Sequence, residues 1–381
     1  MAPPRKILSV VGTRPNFMKM APIMGRLAAD RDRFEHVLVH TGQHYDDAMS
    51  QVFIDELGVG APDHLLGVGS GSHAQQTARV MERLEPVLLD EQPHAVLVPG
   101  DVNSTMASAL VAAKLGIPVG HVEAGLRSFD RTMPEELNRM VADAMSEMLF
   151  IHSPEARDNL LREGCDARGI HYVGNTMIDT LVAMRDRIAA LDAPATLGLE
   201  PGTYLVVTLH RPALVDGPLL VEAVRQLKKV SEQLTVVFPA HPRTRAAMEA
   251  LGIDSGDERL RVTEPLGYLH FLGLVAEAAG VLTDSGGIQE ETTFLRIPCF
   301  TLRDNTERPI TCKLGTNTLL GLAPERIGEV PGLIAQAPDD DRELPAWWDG
   351  QAAERIVDVL AHSPLHVGAR EPPASVASET G

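Results

Sequence analysis

The chain has 381 residues, 44% of them hydrophobic and 23% charged, with a formal net charge of −18. That length allows two or three domains with cores of their own, and the acidity argues against nucleic acid or an anionic membrane as partner. The three cysteines, Cys165, Cys299 and Cys312, form no C-x-x-C pair, so neither a disulfide frame nor a structural zinc site is expected.

MAPPRKILSVVGT runs straight into a strand without signal-peptide anatomy, and no apolar run reaches membrane-spanning length. A reduced, cytoplasmic protein is the expectation. In chain order the apolar runs KILSVV, HVLVH, AVLVP, IPVGHV, MLFIH and IHYVG predict strands of a first sheet. YLVVTL, LTVVFPA, LRVTE, GVLTD and IPCFTL predict a second. Amphipathic stretches such as SHAQQTARVMERLEPVLLDE and GPLLVEAVRQLKKVSEQL lie between them, the alternation of βαβ units. The fold class is therefore α/β, two Rossmann-like doubly wound domains facing a cleft, spanning 1–172 and 173–363. The last helix of the second is free to pack back on the first, and the polar 364–381 is expected to be a disordered tail.

Open α/β sheets bind ligands beyond the carboxyl ends of their strands. Here those ends carry GTRPNFMK, TGQH, GDVNST and Glu123 in the first half, and HR, HPRTR and DSGG in the second. Glu123 ends a buried strand, where an ionised carboxylate needs a partner. Arg127, four residues on, could neutralise it, and the pair reads either as a structural ion pair or as part of the chemistry. Asp101, Glu123, Glu135 and Glu136 make an acidic group in the first half, suited to general acid–base work. Glu135 and Glu136 equally suit a helix start behind Pro134, which would leave Asn138 and Arg139 at the surface.

DSGGIQEE joins a strand to a helix. Ser285, Gly286 and Gly287 could cradle a diphosphate at the helix start, with Glu291 on a ribose, or could simply make a tight turn. Arg308 in NTERP, His210, Arg211 and His241 surround that turn and favour an anion. Arg14 is pinned at the first strand–helix turn, whereas Lys19 by itself reads as a solvated helix lysine. GSGSHA matches a dinucleotide fingerprint formally but follows no convincing strand, so no nicotinamide is inferred.

In order, GTRPNFMKMAPI, TGQHYD, GDVNST, HVEAGLRS, PEELNR, VGNTMID, TLHRP, FPAHPRT, LTDSGGIQEE and NTERP resemble the non-hydrolysing UDP-N-acetylglucosamine (UDP-GlcNAc) 2-epimerase family over about residues 7–321. The resemblance implies a fold of the glycosyltransferase B type and reversible C2 epimerisation of UDP-GlcNAc to UDP-ManNAc. The route would be loss of UDP to a 2-acetamidoglucal and its re-addition. It further implies that Asp101, Glu123 and Glu135 are the acid–base carboxylates and that His210 contacts the leaving diphosphate. Arg14, Lys19, Ser285, Gly286, Gly287, Glu291 and Arg308 would be UDP ligands, with Arg127 orienting Glu123 and His241 beside the substrate. No cofactor or metal is expected, and the partner expected is a second copy in a homodimer.

Two departures stand out. TLHRPALVD replaces the THRREN of many members. The residues for a second, regulatory UDP-GlcNAc are incomplete, since Gln43 and His44 are present but Asp46 stands where a glutamine is expected. A hydrolysing epimerase, an epimerase of a related UDP-2-acetamido sugar, a UDP-sugar glycosyltransferase and a silent nucleotide-sugar sensor are the rival readings.

Overall fold

The computed structural model describes residues 3–42, 57–253, 258–337 and 343–365. Gln43, His44, Asp46 and the tail beyond 365 lie outside them. The chain divides into two units, 1–180 with 346–381, and 181–345.

In the first unit the parallel strands are β1 (Arg5–Val11), β2 (Phe34–His40), β3 (His64–Leu65), β4 (Ala95–Pro99), β5 (Val119–Val122), β6 (Met148–Ile151) and β7 (Ile170–Tyr172). Their order in the sheet is β3-β2-β1-β4-β5-β6-β7. The central strands are apolar on both faces because helices cover both: Ala95–Pro99 is buried throughout. The order reverses where β1 meets β4, paired Ile7 to Ala95 and Ser9 to Leu97. Such a switch point opens a crevice at the carboxyl ends.

The helix Ala352–His362 closes this unit, because the Asp179 carboxylate accepts the Ala352 and Ala353 amides at 3.1 and 2.7 Å. The division at 180 also falls inside the helix Thr176–Ala190, beyond the expected boundary at 172. Thr180 still belongs to the first unit, its hydroxyl bonding the Met18 carbonyl at 2.6 Å.

In the second unit the parallel strands are β8 (Tyr204–Thr208), β9 (Thr235–Pro239), β10 (Leu260–Thr263), β11 (Gly280–Thr283), β12 (Cys299–Thr301) and β13 (Asn317–Leu319), in the order β10-β9-β8-β11-β12-β13. Here the reversal lies between β8 and β11, whose ends are tied by the Thr208 and Thr283 hydroxyls at 2.7 Å. Every predicted apolar run forms a strand. The short edge strands β3 and β13 carry no such run, which is why the pattern does not announce them.

Candidate active site

Each switch point gathers the residues that the strand-end rule singles out. In the first unit, the turn after β1 is fixed by Asn16, whose side-chain oxygen accepts the Gly12 and Thr13 amides at 3.0 and 3.2 Å. The same carboxamide donates to the Pro99 carbonyl at 3.3 Å, tying that turn to the end of β4. Arg14 opens the helix Arg14–Ala29 and is exposed.

Lys19 lies one turn further along and is not the solvated lysine that its helix position suggests. It is 8% exposed, and its ammonium is in direct contact with the Glu123 carboxylate. The strand order makes that meeting possible, since it brings the helix after β1 to the ends of β4 and β5. Gly100 lets the pair form. An ideal Cβ there would stand 2.8 Å from Lys19 Nζ and 3.5 Å from Glu123 Oε2, and its φ of +65° is one that glycine adopts without strain.

Glu123 itself has a φ of +71°, a conformation costing a non-glycine residue about 1–2 kcal/mol. The Glu123 and Ala124 amides both donate to the Phe150 carbonyl, at 3.1 and 3.0 Å, which holds the turn. Strain at a buried ionisable residue points to a functional site more than to a structural one.

Arg127 is not the partner of Glu123. Its guanidinium meets Asp143 at 2.7 Å and grips Glu163, 2.8 Å from Nε to Oε1. Residues 123–127 form a turn and not a helix, so the four-residue spacing does not stack the two side chains. Burial works against a charged Arg127, but Glu163 and Asp143 together hold its pKa above the ordinary value.

Asp101 is half-buried and paired with Arg139, which also meets Glu136 at 3.0 Å. Asn138 and Arg139 are therefore interior residues, 6% and 3% exposed, and not surface ones. Asn138 donates to the Asp101 carbonyl at 2.9 Å. Glu136 is spent on the loop before its helix, accepting the Ser128 amide and hydroxyl and the Phe129 amide at 2.8–2.9 Å. Glu135 stands beside it, exposed at the start of the helix Pro134–Met145.

In the second unit, Asp284 follows β11 and organises the edge. Its Oδ2 accepts the His210 and Arg211 amides, both at 2.8 Å, and its Oδ1 meets His210 Nδ1 at 2.8 Å. Burial pushes the Asp284 carboxyl up, but the His210 ring and the two amides outweigh it and hold the group below the usual aspartate range. The ionised carboxylate fixes a proton on Nδ1 and leaves Nε2 of the exposed imidazole turned away from it. His241 caps the helix Pro242–Ala250 by accepting the Arg243 amide at 3.2 Å. Burial, then the neighbouring His210 and Arg243 charges, lower its pKa.

Ser285 is the N-cap of the helix Gly286–Leu295 and makes no capping bond with its side chain. Arg308 lies over that helix start: an ideal Cβ on Gly286 would stand 2.5 Å from its Nη1. Glu290 holds Arg308 Nε at 3.0 Å, and Glu307 lies 3.6 Å from Nη1. Glu307 also takes a two-pronged bond from Arg303, at 2.8 and 2.9 Å. A helix N-terminus under a fixed guanidinium is a seat for an anion. Gln289 welds the Ser285 turn to the NTERP loop, accepting from Thr306 at 2.6 Å and donating to the Ser285 carbonyl at 3.0 Å. Gly287 is the second helical residue, and Glu291, buried on the same helix, accepts from Tyr268 at 3.0 Å.

The model of the UDP-N-acetylglucosamine 2-epimerase family matches residues 27–361 of this chain. The chain belongs to that family. It is thereby an isomerase, and its two Rossmann-like units are of the glycosyltransferase B type. A UDP-N-acetylglucosamine 2-epimerase of Methanococcus maripaludis is 42% identical over 332 residues, 84% of this chain and 89% of that one. A UDP-2,3-diacetamido-2,3-dideoxy-D-glucuronate 2-epimerase of Pseudomonas aeruginosa is 40% identical over 363 residues, 93% of this chain and 99% of the other. A crystal structure of the Methanocaldococcus jannaschii UDP-GlcNAc 2-epimerase with UDP-GlcNAc and UDP superposes with a TM-score of 0.86 at 38% identity, covering 94% of this epimerase and all of that chain.

Sequence reasoning misses four residues of these edges: Arg139, Asp143 and His121 in the first unit, and Asp284 as the holder of His210. Asp284 carried a signal, being an acid at the end of β11 beside the histidine and arginine that follow the neighbouring strand β8.

Proposed function

We propose that this epimerase interconverts UDP-GlcNAc and UDP-ManNAc by eliminating UDP across C1–C2 and adding it back, without water capturing the intermediate. The C2 hydrogen of such a sugar has no adjacent carbonyl to acidify it, so its loss has to accompany departure of the C1 substituent. The C1–O electrons leave with UDP, a carboxylate takes the C2 proton, and the C–H electrons form the C1=C2 bond of a 2-acetamidoglucal. Protonation of C2 from the other face and attack of the UDP oxygen on C1 then give the epimer. Two proton-carrying groups and a seat for the departed diphosphate are needed.

One observation carries the reading. Glu123, held by Lys19, stands beside the Gly100–Asp101 turn, so two carboxylates share one edge of the first unit's sheet. Each lies against its own cation, and the reaction uses the two as a pair: one takes the C2 proton and the other, carrying a proton, returns one from the opposite face. Glu135 joins them by the resemblance, as the exposed member. The diphosphate goes to Ser285, Gly286, Gly287 and Arg308, with Arg14 and Glu291 on the rest of the nucleotide and His210 Nε2 facing the leaving oxygen. Lys19 is assigned to Glu123 in place of UDP, and Arg127 to the frame. The chain is proposed to act as a cytoplasmic homodimer, which sedimentation tests directly.

Incubating the protein with UDP-GlcNAc in D₂O and following the sugar by proton NMR tests the reaction. Deuterium at C2 of both UDP sugars, with little free UDP, is expected. A glycosyltransferase leaves C2–H untouched, and a hydrolysing epimerase drains the mixture into UDP and free ManNAc. A second reading rests on the 40% identity to the diacetamido-glucuronate enzyme. If that nucleotide sugar exchanges C2–H faster than UDP-GlcNAc, it is the substrate.

A further inference from the structure

The middle of β5 holds a histidine that the chemistry above does not use. His121 is fully buried, and both its ring nitrogens are engaged: Nδ1 lies 2.6 Å from Asp143 Oδ1 and Nε2 lies 2.7 Å from the Gly100 carbonyl oxygen. A carbonyl oxygen only accepts, so Nε2 carries a proton. The Asp143 carboxylate also faces the permanently charged Arg127 at 2.7 Å and accepts the Gly125 amide at 3.1 Å, so it too only accepts. Nδ1 must then carry a proton as well.

The ring sits beside a set of paired charges. His121 and Arg127 supply two positive charges, Asp143 and Glu163 two negative ones, and the Cys165 thiol also feels Asp143. That balance is what permits a doubly protonated ring at full burial. Its two bonds lead to two different loops. Nε2 holds Gly100, the residue before Asp101 and the glycine against which Lys19 and Glu123 pack. Through Asp143, Nδ1 holds Gly125, two residues after Glu123.

We propose that His121 is a positioning residue: a buried imidazolium that ties the Asp101 turn to the Glu123 turn and sets the spacing of the two carboxylates. This rests on the epimerase reading above. Its consequence is that losing the Gly100 bond harms proton transfer more than it harms binding or folding.

Two substitutions separate the bonds. His121→Gln reaches as far as Nε2 and keeps a donor toward Gly100, whereas His121→Asn reaches only as far as Nδ1 and keeps a donor toward Asp143. The readouts are C2–H exchange of UDP-GlcNAc in D₂O at saturation, the Kd for UDP, and Tm. His121→Asn is expected to slow exchange about 10²-fold, the scale of a misplacement near 1 Å, with the Kd for UDP within about twofold. His121→Gln, with a similar loss of Tm, is expected to keep at least about ten times the exchange rate of His121→Asn.

Equal rates in the two variants, or losses of rate that simply follow Tm, would overturn the proposal. Should neither variant fold, the intact enzyme still decides. Its ¹⁵N-histidine spectrum should show one ring with both nitrogens protonated and hydrogen-bonded. A ring set with no such member overturns it. Absence of C2 exchange in the unsubstituted enzyme sinks the epimerase reading instead, so the two failures are told apart.

Discussion

The two switch points solve opposite problems with the same materials. At the first, carboxylates are presented and cations hold them: Lys19 on Glu123, Arg139 on Asp101. At the second, a guanidinium and an imidazole are presented and carboxylates hold them: Glu290 and Glu307 on Arg308, Asp284 on His210. In both places a buried ion pair fixes the geometry of one charged group, and the sign of the presented group decides the task. Acids suit proton transfer and cations suit a departing diphosphate. A buried pair contributes little net stability but is costly to break from one side, so the variants below keep the shape of the residue replaced or leave the pair in place.

The largest effect is expected from Glu123→Gln, which keeps shape but cannot take a proton. Turnover should fall about 10²–10⁴-fold while UDP still binds. Normal turnover would mean that Lys19–Glu123 is only a structural pair. Asp284→Asn comes next. It removes the ionised acceptor that fixes the His210 tautomer, and steady-state kinetics should show kcat lower by roughly 10–10²-fold with little change in fold.

Gly286→Ala is smaller and sharper. Its methyl group displaces the Arg308 guanidinium without stripping Glu290 and Glu307 of their cation, as Arg308→Ala would. The Kd for UDP should rise about tenfold, the value of one charge-assisted contact partly lost. An unchanged Kd by calorimetry would move the diphosphate away from this helix start.

The smallest effect concerns acid stability. His36 and His40, in the first unit, are pushed down to about 4 from 6.5, chiefly by burial. The unfolded chain protonates them near 6.5 and the folded one only near 4. Stability is therefore complete above pH 6.5 and declines as the pH falls toward 4, by at most about 1.4 kcal/mol per pH unit for each histidine. Asp284 is shifted the other way relative to its charge, and its contribution in the second unit is lost only below the ordinary aspartate range. His241 in the second unit is lowered as well, but the two largest histidine shifts lie in the first, so hydrogen exchange should show the first unit loosening more than the second between pH 6.5 and 4.

What was legible in the sequence follows from the same contrast. Strand positions could be read because a parallel sheet covered on both faces demands uninterrupted apolar runs, and the strand-end rule then located both edges. The turn to which the diphosphate is assigned could be picked out because its parts, DSGG and NTERP, are each local signals. The partners of the acids were not. Lys19 and Glu123 are 104 positions apart, and only the strand order β1-β4-β5 brings them together. The nearby Arg127 suggested itself by a helical spacing that the strained turn at Glu123 does not obey. His121 looked like one more residue of an apolar strand, since nothing local marks a histidine whose two partners come from another strand end and a helix.

The division of labour between the two edges is the central claim, and one paired measurement addresses it. C2–H exchange of UDP-GlcNAc at saturation and the Kd for UDP are measured on Glu123→Gln and Gly286→Ala together. The account predicts that Glu123→Gln loses exchange and keeps its Kd, while Gly286→Ala loses affinity and, once saturated, keeps exchange. Parallel loss of both quantities in both variants would contradict it.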